Sequence, residues 1–348
     1  MSAEITSGAR DGAAKLPVIA VDAMGGDHAP RAIVEGALLA HRDGLGSIVL
    51  VGDRARIEPL LRGESGIEIV HSEGQVSMDA HASQAVRKSQ GTSLGDAVEL
   101  VRAGRADAVV SAGNSGAFLA IAVIRLRTIA GIARPAIGAV LPGREGPVVL
   151  CDAGANVDCK PEWLVQFGLM GSAYASAALG IAQPRVGLIS VGEEPTKGNA
   201  QVLEAAELMR AAPLRFIGNV EGKDVFLNHA DVVVADGFVG NVVLKTAEGS
   251  GTYIRDLLHE SFESAGLVGK IGGLLSRAVF DTMRARTDYA EYGGAPLLGV
   301  RGNCIVAHGR SDKRAIRNAI RQGATVAAHD LVGSIGAIVT EAQREPAR

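Results

Sequence analysis

The sequence is poor in aromatic residues, in paired cysteines and in blocks of charge of one sign. Aromatic residues make up 3% of the 348 residues, and 35 basic side chains nearly balance 38 acidic ones, which leaves a net charge of −3. A chain with few rings to stack on bases and no basic block is not expected to bind nucleic acid. The three cysteines, Cys151, Cys159 and Cys304, lack CxxC spacing, which indicates a reducing compartment and no disulfide framework.

The usual signatures of cofactor and catalytic sites are also missing. The chain contains no GxGxxG after a strand, no GxxxxGK(S/T) and no HExxH, and its one GxSxG, Gly91-Thr-Ser-Leu-Gly95, does not follow a predicted strand. These motifs mark dinucleotide sites, nucleoside triphosphate sites, zinc proteases and α/β-hydrolases. Eight histidines are scattered without ligand spacing. The sequence therefore predicts neither a metal nor a cofactor.

Apolar residues and glycine are abundant instead. Hydrophobic residues make up 47% of the chain, beside 45 glycines, which is enough for a large core between helices and a nearly parallel sheet. Apolar runs alternate with helical segments, a pattern typical of βα units. Strands are predicted at 18–21, 47–51, 67–70, 108–111, 136–141, 148–151, 186–191, 214–220, 232–235 and 304–307. Helices are predicted at 32–41, 79–88, 94–103, 162–179, 200–209, 242–258 and 314–322.

One pair of predicted strands departs from the βα pattern. The runs at 136–141 and 148–151 are too close for a crossover helix, so they predict an antiparallel hairpin and a mixed sheet. We expect one compact body over 17–335 with tails at 1–16 and 336–348, because no linker or repeat divides it. The N-terminal tail lacks the apolar segment of a secretory signal. The uncharged stretch 163–184 favours a buried helix over a membrane span, because it is rich in Ala, Gly and Ser.

Four predicted strands end in polar, glycine-rich loops. In a parallel α/β sheet the carboxyl ends of the strands share one edge, and the crevice there binds ligands. The loops are therefore expected to converge on one site. They are Asp22-Ala-Met-Gly-Gly-Asp-His28, Ser111-Ala-Gly-Asn-Ser-Gly116, Asp152-Ala-Gly-Ala-Asn156 and Asp236-Gly-Phe-Val-Gly-Asn241.

The residues of the first two loops suit an anion. Gly25 and Gly26 allow backbone N–H groups to form a nest at a helix N-terminus, and Asn114 and Ser115 can add donors. The alternative is a tight turn in which Asp27 caps the helix.

Three lysines follow predicted strand ends, where a fixed cation can meet a phosphate. They are Lys160, Lys197 and Lys245. A single lysine is usually a solvated surface charge, so their shared placement is what makes them candidates.

Six motifs in order resemble those of bacterial phosphate acyltransferases. The other two, besides the four loops, are Gly192-Glu-Glu-Pro-Thr-Lys-Gly-Asn199 and Tyr292-Gly-Gly-Ala-Pro-Leu-Leu-Gly299. The resemblance implies a three-layer α/β/α fold with a mostly parallel mixed sheet, similar to isocitrate and isopropylmalate dehydrogenases, and a cytoplasmic homodimer. It also implies that acyl-ACP and inorganic phosphate react to give acyl phosphate and free ACP for phospholipid synthesis.

The chemistry of that reaction suits these residues. Phosphate is nucleophilic near neutral pH and a thiolate leaves readily, so positioning and charge stabilisation suffice. We hypothesise direct attack on the thioester, with Lys197, Asn114 and His28 as catalytic residues and Asn156 or Asn241 stabilising the oxyanion. The expected binding residues are Asp22, Gly25, Gly26, Asp27, Ser111, Ser115, Asn156, Lys160, Asp236, Asn241 and Lys245.

Several alternatives stay open. A covalent route through Cys151 or Ser115 has no evident base. The enzyme can instead be a phosphotransacetylase that uses acyl-CoA, and a non-catalytic membrane-associated scaffold is a candidate from another class. A nicotinamide-dependent dehydrogenase rests on fold analogy alone.

A segment at 252–286 carries apolar residues at helical spacing, followed by basic ones. Pattern alone favours a dimerisation helix pair, whereas the resemblance implies peripheral attachment to an anionic membrane. The tip residues are Leu267, Val268, Ile271, Leu274 and Leu275. A basic stripe is a candidate docking face for acidic ACP, although such a stripe is more often a solvated face. It comprises Arg310, Arg314, Arg317 and Arg321.

Overall fold

An eleven-stranded sheet forms the centre of the molecule. The computed structural model describes residues 16–280 and 293–344, and its strands follow the order β3-β2-β1-β4-β11-β10-β5-β6-β9-β7-β8. The strands are β1 Val18–Asp22, β2 Ser47–Gly52, β3 Glu68–His71, β4 Ala108–Ser111, β5 Ala136–Pro142, β6 Pro147–Cys151, β7 Arg185–Ile189, β8 Arg215–Val220, β9 Val232–Val234, β10 Ala295–Leu298 and β11 Asn303–Val306.

The sheet consists of two parallel blocks that run in opposite directions. Strands β1, β2, β3, β4 and β11 are mutually parallel, and so are β6, β7, β8 and β9. Between the blocks, β11, β10, β5 and β6 pair in three successive antiparallel steps. The predicted α/β class, the β5–β6 hairpin and the mixed sheet are confirmed.

Helices cover both faces of the sheet. Side chains alternate between the faces along each strand; Ile19 and Val21 join one core cluster, and Ala20 joins another. The helices are α1 Arg31–Arg42, α2 Arg54–Leu61, α3 Ala82–Arg87, α4 Ser93–Arg102, α5 Ser115–Leu126, α6 Pro161–Leu179, α7 Ala200–Arg210, α8 Asp224–Leu227, α9 Gly237–Ser264, α10 Gly266–Leu275, α11 Lys313–Ala328 and α12 Leu331–Arg344.

The uncharged stretch forms a buried helix, as predicted. Helix α6 buries Leu164, Phe167 and Met170. A Cβ at Gly171 would lie 2.7 Å from Val232, so glycine allows the helix to approach β9 closely. No single described helix is long and apolar enough to cross a bilayer; the bent pair of α11 and α12 meets that criterion by length and composition only.

Several elements differ from the prediction. Strand β10 went unpredicted because it has only four residues and contains Pro296. Helix α5 is apolar over most of its circumference, so it gives little amphipathic signal. The predicted tail at 336–348 was wrong over its first part, because α12 continues to Arg344 and buries Val339.

Some predictions fall on residues outside the described ranges. These are most of the tail at 1–16, the part of the 252–286 segment from 281 onward, the last residues of the C-terminal tail, and Tyr292 of the sixth motif.

Candidate functional site

A buried carboxylate organises the loop that follows β1. Asp22 is 2% exposed and accepts a hydrogen bond from the Ser111 hydroxyl at 2.7 Å. Burial raises the pKa of Asp22, and hydrogen bonds from residues that include Ser111 oppose the rise. A Cβ at Gly25 would overlap this carboxylate and lie 2.8 Å from the Gly113 nitrogen. The loops after β1 and β4 are therefore packed backbone to backbone.

The loop after β11 packs against the loop after β1. Gly26 has φ +107°, a conformation that favours glycine, and the next nitrogen, of Asp27, donates to the Gly309 carbonyl at 2.8 Å. Among the described residues, no side chain caps helix α1, so the alternative in which Asp27 caps it is wrong. We name residues 22–28, 111–116 and 307–310 the glycine loops.

The side chain of Asn114 is fully engaged. Its oxygen caps α5 by accepting from the Ala117 nitrogen at 2.9 Å. Its amide nitrogen donates to the carbonyls of Met78 at 2.7 Å and Ala80 at 3.1 Å. Asn114 therefore holds a neighbouring loop in place and has no side-chain donor left for phosphate. Ser115 and His28 are exposed beside it.

Helix α9 contributes charge to the same region. Lys245 pairs with Glu248 at 2.8 Å, and both line an open groove of about 580 Å³ with Arg310. Burial, and then nearby Lys245, lower the pKa of His308. Lys245 thus faces the loop after β11.

A second buried carboxylate organises the loop that follows β6. Asp152 is fully buried and accepts hydrogen bonds from the backbone nitrogens of Ile137, Gly154, Ala155 and Asn156 at 2.7 to 3.1 Å. The Asn156 amide nitrogen donates to Asp152 at 2.9 Å and to the Pro135 carbonyl at 2.8 Å. Asn156 therefore shapes the loop, and its side-chain donors are not available to a substrate.

The loop after β9 packs directly on this one. Asp236 caps α9 by accepting from the Val239 nitrogen at 2.8 Å, so the helix begins five residues before its predicted start. The Gly237 nitrogen donates to the Asn156 carbonyl at 2.7 Å. Asn241, which is exposed, lies with its side-chain oxygen 3.6 Å from the position of a Cβ on Gly154.

Two lysines flank this second group. Gln201, at the start of α7, donates to the Cys159 carbonyl at 2.9 Å, which joins the loop carrying Lys197 to the one carrying Lys160. Both lysines are exposed, and within residues 16–280 and 293–344 neither forms an ion pair. We name residues 152–160, 190–201 and 236–241 the lysine loops.

The predicted site residues therefore fall into two groups. The glycine loops follow strands of one block and the lysine loops follow strands of the other, so the expectation that all share one sheet edge is wrong. The antiparallel steps between β11 and β6 cause the reversal. Helix α9 connects the groups, with Asn241 at the lysine loops and Lys245 facing the glycine loops.

The close packing of α9 on the Asp152 loop gives a stability prediction. A Cβ at Gly240 would overlap the Asp152 carbonyl oxygen, whereas Gly249 in the same helix has open space around it. Gly240→Ala should lower the free energy of unfolding by about 1–3 kcal/mol. Gly249→Ala should raise it by about 0.5–1 kcal/mol through helix propensity. Urea denaturation measures both, and equal stability of the two variants would contradict this packing.

Some residues of the site were not predicted from the sequence, and one candidate nucleophile does not suit that role. Asp152 belongs to one of the four glycine-rich loops but was not predicted as a site residue; its position at the end of a buried strand is the signal that marks it. No feature of the sequence around His308 marked it as a site residue. Cys151 is fully buried, and burial raises the pKa of its thiol, which disfavours it as a nucleophile. Burial likewise raises the pKa of Cys159 to about 11.

Part of the basic region around α11 forms ion pairs within the molecule. Arg317 contacts Asp43 at 2.6 Å, and Lys313 lies 3.9 Å from Glu35 of α1. Arg317 of the stripe and the adjacent Lys313 therefore join α11 to α1, which favours the interpretation as a solvated, structural face over a docking face.

Comparisons with known proteins agree on one family. The family model described as "Fatty acid synthesis protein" matches residues 18–333. The chain is 50% identical to a phosphate acyltransferase of Myxococcus xanthus, over 87% of this chain and 88% of that protein. It is also 50% identical to one of Pelotomaculum thermopropionicum, over 87% and 89%.

Solved structures share the fold. A phosphotransacetylase from Streptococcus pyogenes superposes with a TM-score of 0.64 at 18% identity, over 90% of this chain and 94% of that one. A 4-hydroxythreonine-4-phosphate dehydrogenase from Klebsiella pneumoniae gives 0.53 at 15% identity, over 90% and 100%.

Proposed function

The chain belongs to the phosphate acyltransferase family and is an acyltransferase of fatty acid synthesis, and on this premise we propose that it converts acyl-ACP and inorganic phosphate to acyl phosphate and free ACP. The observation that carries the proposal is that the lysine loops are joined by hydrogen bonds and carry two exposed lysines and an exposed amide. These groups are what a phosphate nucleophile and a developing oxyanion require.

Phosphate is proposed to bind at Lys197, with Lys160 as a second cation. The pairing of the lysines favours this position over the glycine loops. Within residues 16–280 and 293–344, Lys160 and Lys197 form no ion pair. Of the two glutamates near Lys197, Glu193 is paired with Lys223 at 3.2 Å, and Glu194 lies at Gly192. At the glycine loops, Lys245 is neutralised by Glu248.

The thioester carbonyl is proposed to lie at Asn241. Of the two asparagines proposed as oxyanion donors, Asn156 is consumed by Asp152 and Pro135, which leaves Asn241 on the first turns of α9. A phosphate oxygen attacks the carbonyl carbon, the carbonyl electron pair moves to oxygen, and collapse expels the ACP thiolate. The positive end of the α9 dipole favours the oxyanion near its N-terminus.

The glycine loops are proposed to form the second wall of the crevice along α9. Gly26 and Ser115 offer backbone donors there, whereas the Gly25 N–H donates to the Asp22 carboxylate. His28 and Arg310 are exposed on the same loops. Asn114, Asp22 and Ser111 position the backbone of this wall through the hydrogen bonds described above.

The identity of the donor is tested by comparing palmitoyl-ACP with palmitoyl-CoA at equal phosphate concentration. A higher kcat/KM for the ACP thioester supports the proposal. A preference for the CoA thioester would identify a phosphotransacetylase-type enzyme instead.

We further propose a homodimer that attaches peripherally to anionic membranes through α10. The apolar side chains of this helix are largely exposed, between 52% and 80% of their surface. Solvent-exposed apolar area of this extent indicates a partner or a lipid surface, and Lys270 lies on the same helix. The exposed residues are Leu267, Val268, Ile271, Leu274 and Leu275.

Serine at the tip should release the protein from membranes. Replacing Leu274 and Leu275 together by serine removes two apolar groups from the bilayer, so the bound fraction on phosphatidylglycerol vesicles should fall about tenfold or more. Vesicle flotation measures this, with Leu208→Ser on α7 as the control. If the double variant floats like wild type but sediments at half its mass, the tip is a dimer contact and the membrane proposal fails.

A further inference from the structure

Four apolar side chains at the lysine loops are exposed to solvent. Val157 is 62% exposed, Val191 83%, Phe238 62% and Val242 49%. Single exposed apolar residues are ordinary, but several at one place mark a binding surface. We name these four residues the apolar rim.

Two rim residues bracket the proposed oxyanion donor. Phe238 and Val242 are four residues apart on α9, so they lie on one face of its first two turns. Asn241 lies between them in sequence, three residues after Phe238, and therefore projects near the same face. The opposite side of this helix end is packed, because Gly240 is buried against the Asp152 loop.

The other two rim residues lie in the loops that carry the lysines. Val157 follows Asn156, whose carbonyl accepts from the first residue of α9, Gly237, at 2.7 Å. Val191 begins the loop that leads from β7 to Lys197. Each lysine loop thus contributes at least one exposed apolar side chain.

Cations and apolar groups together complement an amphiphile with an anionic head. We propose that the apolar rim binds the acyl chain next to the reacting carbonyl, so that it sets the preference for long-chain over short-chain acyl groups. This inference rests on the proposed function. The carbonyl carbon lies at Asn241 during attack and the phosphoryl group at Lys197, so the methylene groups next to the carbonyl extend onto Phe238 and Val242.

The test is the chain-length dependence of kcat/KM in rim variants. Butyryl, octanoyl, lauroyl and palmitoyl thioesters are compared for wild type, Phe238→Ala, Val242→Ala and the double variant. We expect kcat/KM of the double variant to fall about tenfold or more with palmitoyl and lauroyl donors. The loss with the butyryl donor should stay below about twofold, because a short chain covers little of the rim. Phe238→Leu, which keeps an apolar side chain, should retain most of the long-chain preference.

A control variant distinguishes binding of the acyl chain from a general loss of activity. Ile124→Ala removes a comparably exposed side chain from α5 and should leave the chain-length profile unchanged. Equal losses with all donors, or an unchanged profile, would overturn the rim proposal while turnover with phosphate still upheld the reaction. A double variant that sediments at half the wild-type mass would assign the rim to a subunit interface and also overturn it. Absence of phosphate-dependent turnover in wild type would instead refute the proposed function.

Discussion

Lys197→Met is expected to lower kcat/KM for phosphate by roughly two to three orders of magnitude, the cost typical of removing one preorganised electrostatic group. Lys197 is exposed at the end of a strand-to-helix loop, where the Ser190 hydroxyl and the Asn219 amide hold its carbonyl at 3.1 Å. The backbone is therefore fixed while the ammonium stays free to meet phosphate. Methionine keeps the length of the side chain and removes only its charge.

A distant lysine provides the matched control. Lys88 is exposed at the C-terminal end of α3, outside the lysine loops, so Lys88→Met should leave phosphate kinetics within about twofold of wild type. Lys197→Arg keeps the charge and should recover part of the activity. The assignment of phosphate to the lysine loops would be refuted by equal kinetics of Lys197→Met and wild type at subsaturating phosphate.

Asn241→Ala should reduce kcat by roughly two orders of magnitude or more, with a smaller change in KM for the acyl donor. The reason is that a donor aimed at the oxyanion acts mainly in the transition state. Asn241→Asp should lower kcat further than Asn241→Ala does, because a carboxylate would repel both the oxyanion and phosphate. Steady-state kinetics with an acyl-ACP donor measure the split between kcat and KM.

Thr246→Ala serves as the control for this variant, since it alters an exposed residue one turn further along α9. Its kinetics should match wild type. Because the Asn241 side chain is exposed, both Asn241 variants should unfold at wild-type denaturant concentrations. A rise in KM with unchanged kcat would make Asn241 a binding residue and contradict its role at the oxyanion.

The sheet was largely predictable because its strands are buried apolar runs. Ten of the eleven strands were predicted, and the hairpin of β5 and β6 followed from a connection too short for a helix. Direction was harder to predict. The reversal between the two blocks is set by the β5–β6 hairpin, because the two antiparallel steps that β10 makes with β11 and β5 cancel. The direction of β5 relative to β4 depends on β10, an unpredicted strand of four residues whose partner β5 is far away in sequence. Without that direction, the loops after β4 and β6 were assigned to one edge.

The loops that form the site were predictable from the sequence, but the side-chain donors that remain free in those loops were not. The glycine-rich ends of β1, β4, β6 and β9 all carry close backbone contacts, as their composition indicates. The availability of each amide depends on partners distant in the chain. Asn114 donates to Met78, 36 residues away, and Asn156 to Pro135, 21 residues away. No local pattern shows that these donors are consumed while Asn241 stays exposed.

The most direct test of the central proposal is the release of ACP thiol from palmitoyl-ACP by the protein, with and without inorganic phosphate. Hydroxylamine is added to samples from which palmitoyl-ACP has been removed, because it cleaves thioesters as well, and it then traps acyl phosphate as the hydroxamate. We predict thiol release that depends on phosphate, an equal yield of hydroxamate, and loss of both in Lys197→Met. Thiol release without phosphate, or release with no hydroxamate, would contradict the transfer of the acyl group to phosphate.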